Sequence, residues 1–103
     1  MILALKVSDK DNVATIFAQG VETGDKIEIR DKQGNAQEVK AREAIPYGHK
    51  ISLCPIPKGR DITKYGERIG VASQDIPEGS HVHIHNLESM RGRGDLAGKE
   101  GQA

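Results

Sequence analysis

A seven-residue unit recurs four times along this chain: Val21-Glu22-Thr23-Gly24-Asp25-Lys26-Ile27, Ile45-Pro46-Tyr47-Gly48-His49-Lys50-Ile51, Ile56-Pro57-Lys58-Gly59-Arg60-Asp61-Ile62 and Ile76-Pro77-Glu78-Gly79-Ser80-His81-Val82. Three copies read Ile-Pro-x-Gly. Proline presets φ near about −65° at the second position of a turn and glycine suits the fourth, so each copy is expected to be a type I turn entering a strand. Apolar and polar residues alternate after the turns, as in Lys50-Ile51-Ser52-Leu53 and His81-Val82-His83-Ile84-His85. That is the period-two pattern of a half-buried strand. The units lie too close together for a large solenoid repeat, so they describe one all-β domain with repeated corners.

Other segments punctuate this pattern. Asp11 is expected to cap one short helix over Asn12-Val13-Ala14-Thr15-Ile16-Phe17-Ala18, with Gly20 ending it at positive φ. The polar stretch from Arg30 to Gln37, with Gly34-Asn35 inside it, lies between Ile27-Glu28-Ile29 and Val39 and reads as a hairpin connection. From Glu88 onward glycine and charge replace apolar residues, and such a segment cannot repay its ordering entropy alone. The expected organisation is therefore a domain over residues 1–87 and a flexible tail over 88–103.

The chain has 103 residues, enough for one core and too few for two. Aromatics make up 3% of it, so the core must be built from Ile, Val, Leu and Ala. Fifteen basic residues balance fifteen acidic ones, and a net charge of zero gives no general attraction to nucleic acid or anionic lipid. The single cysteine, Cys54, cannot form an intrachain disulfide. Flanked by Leu53 and Pro55, it reads as a small buried hydrophobe rather than a nucleophile. The apolar start Met1-Ile2-Leu3-Ala4-Leu5 is too short for a signal segment, and no run of about 18 apolar residues exists. A soluble, cytoplasmic protein is expected, with no membrane and no nucleic-acid partner. Edge strands of such a sheet also offer a route to a homo-oligomer.

The densest chemical feature is His81-Val82-His83-Ile84-His85-Asn86. On a continuous strand its three histidines share one face, with Val82 and Ile84 on the other. Histidines two apart have Cβ atoms about 7 Å apart, close enough for both imidazoles to reach one divalent ion at about 2.0–2.1 Å. The same ladder is equally what a solvated edge strand would carry, and imidazole serves proton transfer as readily as metal binding. Gly48-His49-Lys50 sets a histidine and a lysine at the exit of a turn, where they can meet a carboxylate or simply be solvated. Lys64-Tyr65-Gly66, followed by Ile69-Gly70, combines a cation, a phenol and glycines that admit a ligand or shape a bulge. Arg91-Gly92-Arg93-Gly94-Asp95 is either an anion clamp or solvated tail.

Taken together, Gly48-His49-Lys50, Lys64-Tyr65-Gly66, Ile69-Gly70 and the closing His81-Val82-His83-Ile84-His85-Asn86 resemble the N-terminal SAF domain of the altronate and galactarate dehydratase family. The resemblance runs from about Asp11 to Asn86. It implies a β-clip fold, a set of short strands with folded-over hairpins. It further implies loss of water from an aldonate or aldarate to give a 2-keto-3-deoxy acid, with this chain as a small subunit beside a large catalytic dehydratase chain. By the same likeness His83, His85 and His49 are candidate catalytic residues. Lys50, Lys64, Tyr65 and Asn86 are candidates for binding the sugar acid, and His83 and His85 for holding a divalent metal, Fe²⁺ or Mn²⁺, together with the large subunit. The Arg91–Asp95 segment would then dock that subunit. The small subunit of sulfolactate sulfo-lyase is similar over the same motifs and expels sulfite instead of water. A non-catalytic carbohydrate-binding or assembly module is the alternative from another class, because fold does not fix chemistry.

Overall fold

The computed structural model describes residues 2–89. Nine strands follow in order: β1 (Ile2–Leu5), β2 (Val13–Ile16), β3 (Lys26–Arg30), β4 (Ala36–Lys40), β5 (Lys50–Ser52), β6 (Asp61–Lys64), β7 (Glu67–Ala72), β8 (His81–Val82) and β9 (Leu87–Ser89). They form a six-stranded sheet ordered β4-β3-β1-β2-β5-β8 and a three-stranded sheet ordered β6-β7-β9. The architecture is all-β and has the short strands and curled sheets of a β-clip. Among the described residues none is helical.

The expected helix after Asp11 is therefore a strand. Val13, Ala14, Thr15 and Ile16 are all buried, and β2 is flanked by β1 and β5 in antiparallel pairing. A four-residue stretch with three β-branched side chains fits a pleated strand buried on both faces, and that tertiary setting overrides the capping signal. Asp11 has a different task. Its Oδ2 accepts the Val7 and Ser8 N–H groups and its Oδ1 accepts that of Gly66.

The repeated unit is real, and its turn differs in register from the expectation. The closing bonds run from His49 N to Pro46 O, Arg60 N to Pro57 O, Ser80 N to Pro77 O and Asp25 N to Glu22 O. Proline, or Glu22 in the first copy, is thus the first turn residue. Glycine is the third, with φ of +94°, +82°, +90° and +84° at Gly24, Gly48, Gly59 and Gly79. Positive φ at the third position belongs to a type II turn, which is why glycine is required there. Each unit also docks in the same way on a different segment. The glycine N–H donates to the carbonyl of Ala41, Ile16, Ala72 or Ser52, and the N–H of that same residue returns a bond to the carbonyl following the glycine. Bridges Val21↔Ile45 and Ile56↔Ile76 join the copies in pairs.

These corners wrap two apolar clusters. Ala4, Ala14, Ile16, Ile27, Ile29, Val39, Ile45 and Ile51 are the centre of one, and Val13, Ile56, Ile62, Ala72, Ile76 and Val82 form the other. Alternation along β2 places Ala14 and Ile16 in the first cluster and Val13 in the second. Seven isoleucines from the turns and strands are essentially inaccessible to water, each burial contributing roughly 2–3 kcal/mol. The predicted hairpin is present, with β3 and β4 paired through the Asp31–Asn35 connection.

Two further expectations are revised. Cys54 is exposed rather than buried, because the chain bends out after Leu53 toward the third turn. The histidine segment is not one continuous strand. β8 ends at Val82, and the chain then turns, with the Asn86 and Leu87 N–H groups both reaching the His83 carbonyl. Ile84 consequently stands out at 83% exposure instead of packing beside Val82. β9 carries pairing with β7 through Ser89, and the Arg91–Asp95 segment lies outside the described residues.

Candidate active site

The turn register fixes where the chemistry gathers. The second turn delivers His49 and Lys50 to the start of β5, which pairs antiparallel with β8 so that Lys50 lies opposite Val82 and Ile51 opposite His81. His49 and His81 therefore project from the same face at this edge of the sheet, and the turn after β8 folds His83 back over them. His49 Nδ1 and His81 Nε2 are 2.8 Å apart. The His49 and His83 rings stack at a centroid separation of 4.0 Å, and the His85 ring lies 5.1 Å from that of His81. One nitrogen each from His49, His81 and His83 falls within a mutual 4.8 Å.

Asn86 builds this turn from beneath. It is buried, its Nδ2 donates to the His81 carbonyl and its Oδ1 accepts the His83 N–H. Its amide thus holds the two histidines in place from inside the fold. Glu43 receives the His81 N–H on the outer side. His83 Nδ1, by contrast, is buried with no partner.

Electrostatics bias the cluster toward neutral imidazole. Burial lowers the pKa of His81 below 6.5, neighbouring His49 and His85 add to the effect, and Glu43 opposes it. Burial likewise lowers His83, helped by His49, Lys50 and His85. Lys50, half-buried, is lowered by burial and then by the positive charge of Lys64. Lys50 thus links the histidines to the β6–β7 turn, where the Lys64 Nζ sits 4.8 Å from the Tyr65 ring centre. Tyr65 is exposed and holds φ of +57°, uncommon outside glycine. Asp11 and Asn12 secure that turn to the larger sheet. Asp11 accepts from Gly66, while Asn12 accepts from the Thr63 N–H and donates to the Asp61 carbonyl. Asn12 sits where the β6–β7 register shifts between Ile62 and Thr63. Gly70 has a packing reason of its own, since a Cβ there would lie 2.4 Å from the Glu88 carbonyl oxygen.

The structure thus brings His49, His83, Lys50 and Lys64 to one region, with His85 and Tyr65 on its exposed margin and Asn86 beneath it. The pair His83 and His85, the candidate metal ligands from sequence, is replaced in the tightest grouping by His49, His81 and His83. His81 was legible as part of the histidine ladder. Its place in the grouping depends on the β5–β8 register, which no local pattern reveals. Three imidazoles form a donor set suited to a borderline divalent ion. Two nitrogens bound to one tetrahedral ion would stand about 3.3 Å apart, so the 2.8 Å pair needs only a small opening. The unpartnered His83 Nδ1 fits the same reading. A surface concavity lined by Lys26, Glu28, Ala36, Gln37 and Glu38 lies at the opposite edge of the larger sheet and contains no such set.

Residues 2–90 match the family model described as the altronate/galactarate dehydratase SAF domain. The alpha subunit of (2R)-sulfolactate sulfo-lyase from Chromohalobacter salexigens is 32% identical over 94 residues, 88% of this chain and 99% of that subunit. Altronate dehydratase of Escherichia coli is 39% identical over 85 residues, 82% of this chain and 16% of the enzyme. Galactarate dehydratase of the same organism is 41% identical over 78 residues, 76% of this chain and 14% of the enzyme. The chain thus spans nearly the whole of the sulfo-lyase subunit and about a sixth of each dehydratase. It belongs to the SAF-domain family of altronate and galactarate dehydratases.

Proposed function

We propose that this chain is the small subunit of a carbon–oxygen lyase that removes water from an aldonate or aldarate, yielding a 2-keto-3-deoxy acid, and that it works with a large catalytic chain. The observation that carries this reading is the convergence of His49, His81 and His83 within a mutual 4.8 Å beside the half-buried Lys50. The reaction takes the proton from the carbon next to the carboxylate and expels hydroxide from the following carbon, which leaves as water once protonated. The enol so formed becomes the keto acid. The removed proton is weakly acidic, so the charge that develops on the carboxylate must be stabilised by fixed cations.

Lys50 and Lys64 would hold that carboxylate. His49, His81 and His83 would hold a divalent ion such as Fe²⁺ or Mn²⁺, jointly with groups from the large chain. When bound, such an ion supplies Lewis-acid stabilisation of negative oxygen. His85, on the open side of the turn, is left to exchange a proton with the substrate or solvent. Tyr65 lines the approach, and Asn86 keeps His81 and His83 in register.

The alignment across 99% of a sulfo-lyase alpha subunit supports a second reading, in which the same site expels sulfite from sulfolactate. Co-production with a candidate large dehydratase chain from the same genome, followed by assay of aldonates, aldarates and sulfolactate with Fe²⁺ or Mn²⁺, decides between them. A 2-keto-3-deoxy product requiring both chains supports the hydro-lyase, and sulfite release supports the sulfo-lyase. A stable complex inert to every substrate would replace both with a non-catalytic carbohydrate-binding or assembly module.

A further inference from the structure

Among the described residues two buried side-chain polar atoms lack a partner, Thr15 Oγ1 and His83 Nδ1. The large majority of such groups in folded proteins are satisfied, so each exception calls for a reason. Both lie next to Lys50. Thr15 is directly opposite it in the β2–β5 register, and residues so paired share a sheet face with Cβ atoms about 5 Å apart. His83 directly follows Val82, which faces Lys50 in the β5–β8 register. No ion pair among the described residues involves Lys50 or Lys64, although the two cations repel one another. A cation crowded by a second cation, with no ion pair among the described residues and beside a shielded, unpartnered hydroxyl, is an arrangement suited to an anion.

We propose that Thr15 is a substrate-binding residue: its hydroxyl donates to a carboxylate oxygen that Lys50 and Lys64 neutralise, forming an anion subsite on the sheet face that Thr15 shares with Lys50. This rests on the lyase reading for the identity of the ligand, an aldarate or aldonate carboxylate, while the subsite itself is a property of this chain. The Thr15 hydroxyl is shielded in the free chain, and the flexible four-carbon stem of Lys50 opposite it is the element that can swing to admit the ligand oxygen. Shielding strengthens the contact, because no water competes for the donor. Discrimination follows as well, since a site that leaves a buried donor unpaired penalises any ligand that offers no acceptor there.

The test is titration of the full chain with galactarate at fixed ionic strength in chloride, read from the Thr15 methyl and Lys50 side-chain resonances. Saturable shifts at both are expected in the wild type. Thr15→Val, which keeps the shape and removes the donor, is expected to weaken binding at least about tenfold, and Thr15→Ser to restore most of it. Thr15→Val should also melt no lower than the wild type, because it removes an unpaired buried hydroxyl, so lost affinity cannot be ascribed to lost fold. Equal affinity of wild type and Thr15→Val, or no saturable shift in the wild type, overturns the proposal. Turnover of the assembled pair is scored separately. An inert pair with a Thr15-dependent anion site sinks the lyase reading alone, and an active pair indifferent to Thr15→Val sinks this inference alone.

Discussion

Replacing Asp11 by alanine isolates how the β6–β7 turn, with Lys64 and Tyr65, is held near the histidines. Asp11 is 6% exposed, and its carboxylate accepts three backbone N–H groups, from Gly66 at 2.7 Å and from Val7 and Ser8 at 3.1 Å each. Hydrogen bonds to a charged acceptor contribute about 1.5–3 kcal/mol when buried. All three bonds are part-buried, so water replaces part of each; the Gly66 bond is expected to keep about 2 kcal/mol and the two bonds sharing Oδ2 about 1 kcal/mol between them. A loss of about 3 kcal/mol follows, which for a urea slope of about 1–1.5 kcal/mol/M moves the unfolding midpoint down by about 2–3 M. The pH dependence supplies an internal check. Burial pushes the Asp11 pKa up, but the bonds from Gly66, Ser8, Val7 and Tyr65 outweigh it and hold the group below 3.8. A carboxylate lowered in the folded state stabilises fully above its unfolded value and loses that contribution as pH falls through its folded value. The gap between wild type and Asp11→Ala should therefore be constant above about pH 5 and narrow progressively as pH falls below 3.8. Equal midpoints at pH 7, or a gap that does not narrow as the pH falls below 3.8, would refute the assigned role.

Three other outcomes follow from the same geometry. Gly79→Ala should destabilise by well over 2 kcal/mol, whereas Gly34→Ala costs about 1. Both hold positive φ, but a Cβ at Gly79 would stand 2.1 Å from the Lys40 carbonyl oxygen and one at Gly34 meets nothing within 4 Å; chemical denaturation compares them. Asn86→Ala removes the amide bridging His81 and His83 and should cost about 2–3 kcal/mol, and in a calorimetric Co²⁺ titration it should also weaken binding to the histidine cluster. Imidazole resonances of His81 and His83 should titrate below 6.5. Because the folded values are lowered, the neutral cluster favours the fold above that pH and the contribution is lost as pH falls through the folded values; midpoints above 6.5 would contradict the burial that causes the shift.

The corners were the legible part of this fold, since Ile-Pro-x-Gly announces a turn and the following alternation announces a strand. The turn type was not legible, because it depends on whether proline occupies the first or second position, and docking of the glycine N–H on a neighbouring segment decides that. At Asp11–Ala18 the capping signal was local, while the burial of β2 between β1 and β5 is a long-range fact. Ile84 and His85 fit a continuous strand in sequence. Only the Asn86 amide, reaching back to His81 and His83, reveals that the chain turns there. For the same reason the histidines were legible as a set, but the partnership of His49 with His81 was not. It spans 32 residues and exists through β5–β8 pairing.

The claim that these histidines belong to a lyase site is tested most directly by His81→Ala in the reconstituted two-chain enzyme, with turnover and assembly measured on the same preparation. Loss of turnover by at least about a hundredfold, with the complex still formed, is the result expected from a histidine that works at the reacting centre with His49 and His83. Turnover within about twofold of wild type, or loss of the complex as the sole effect, would contradict that role and leave the cluster with a structural one.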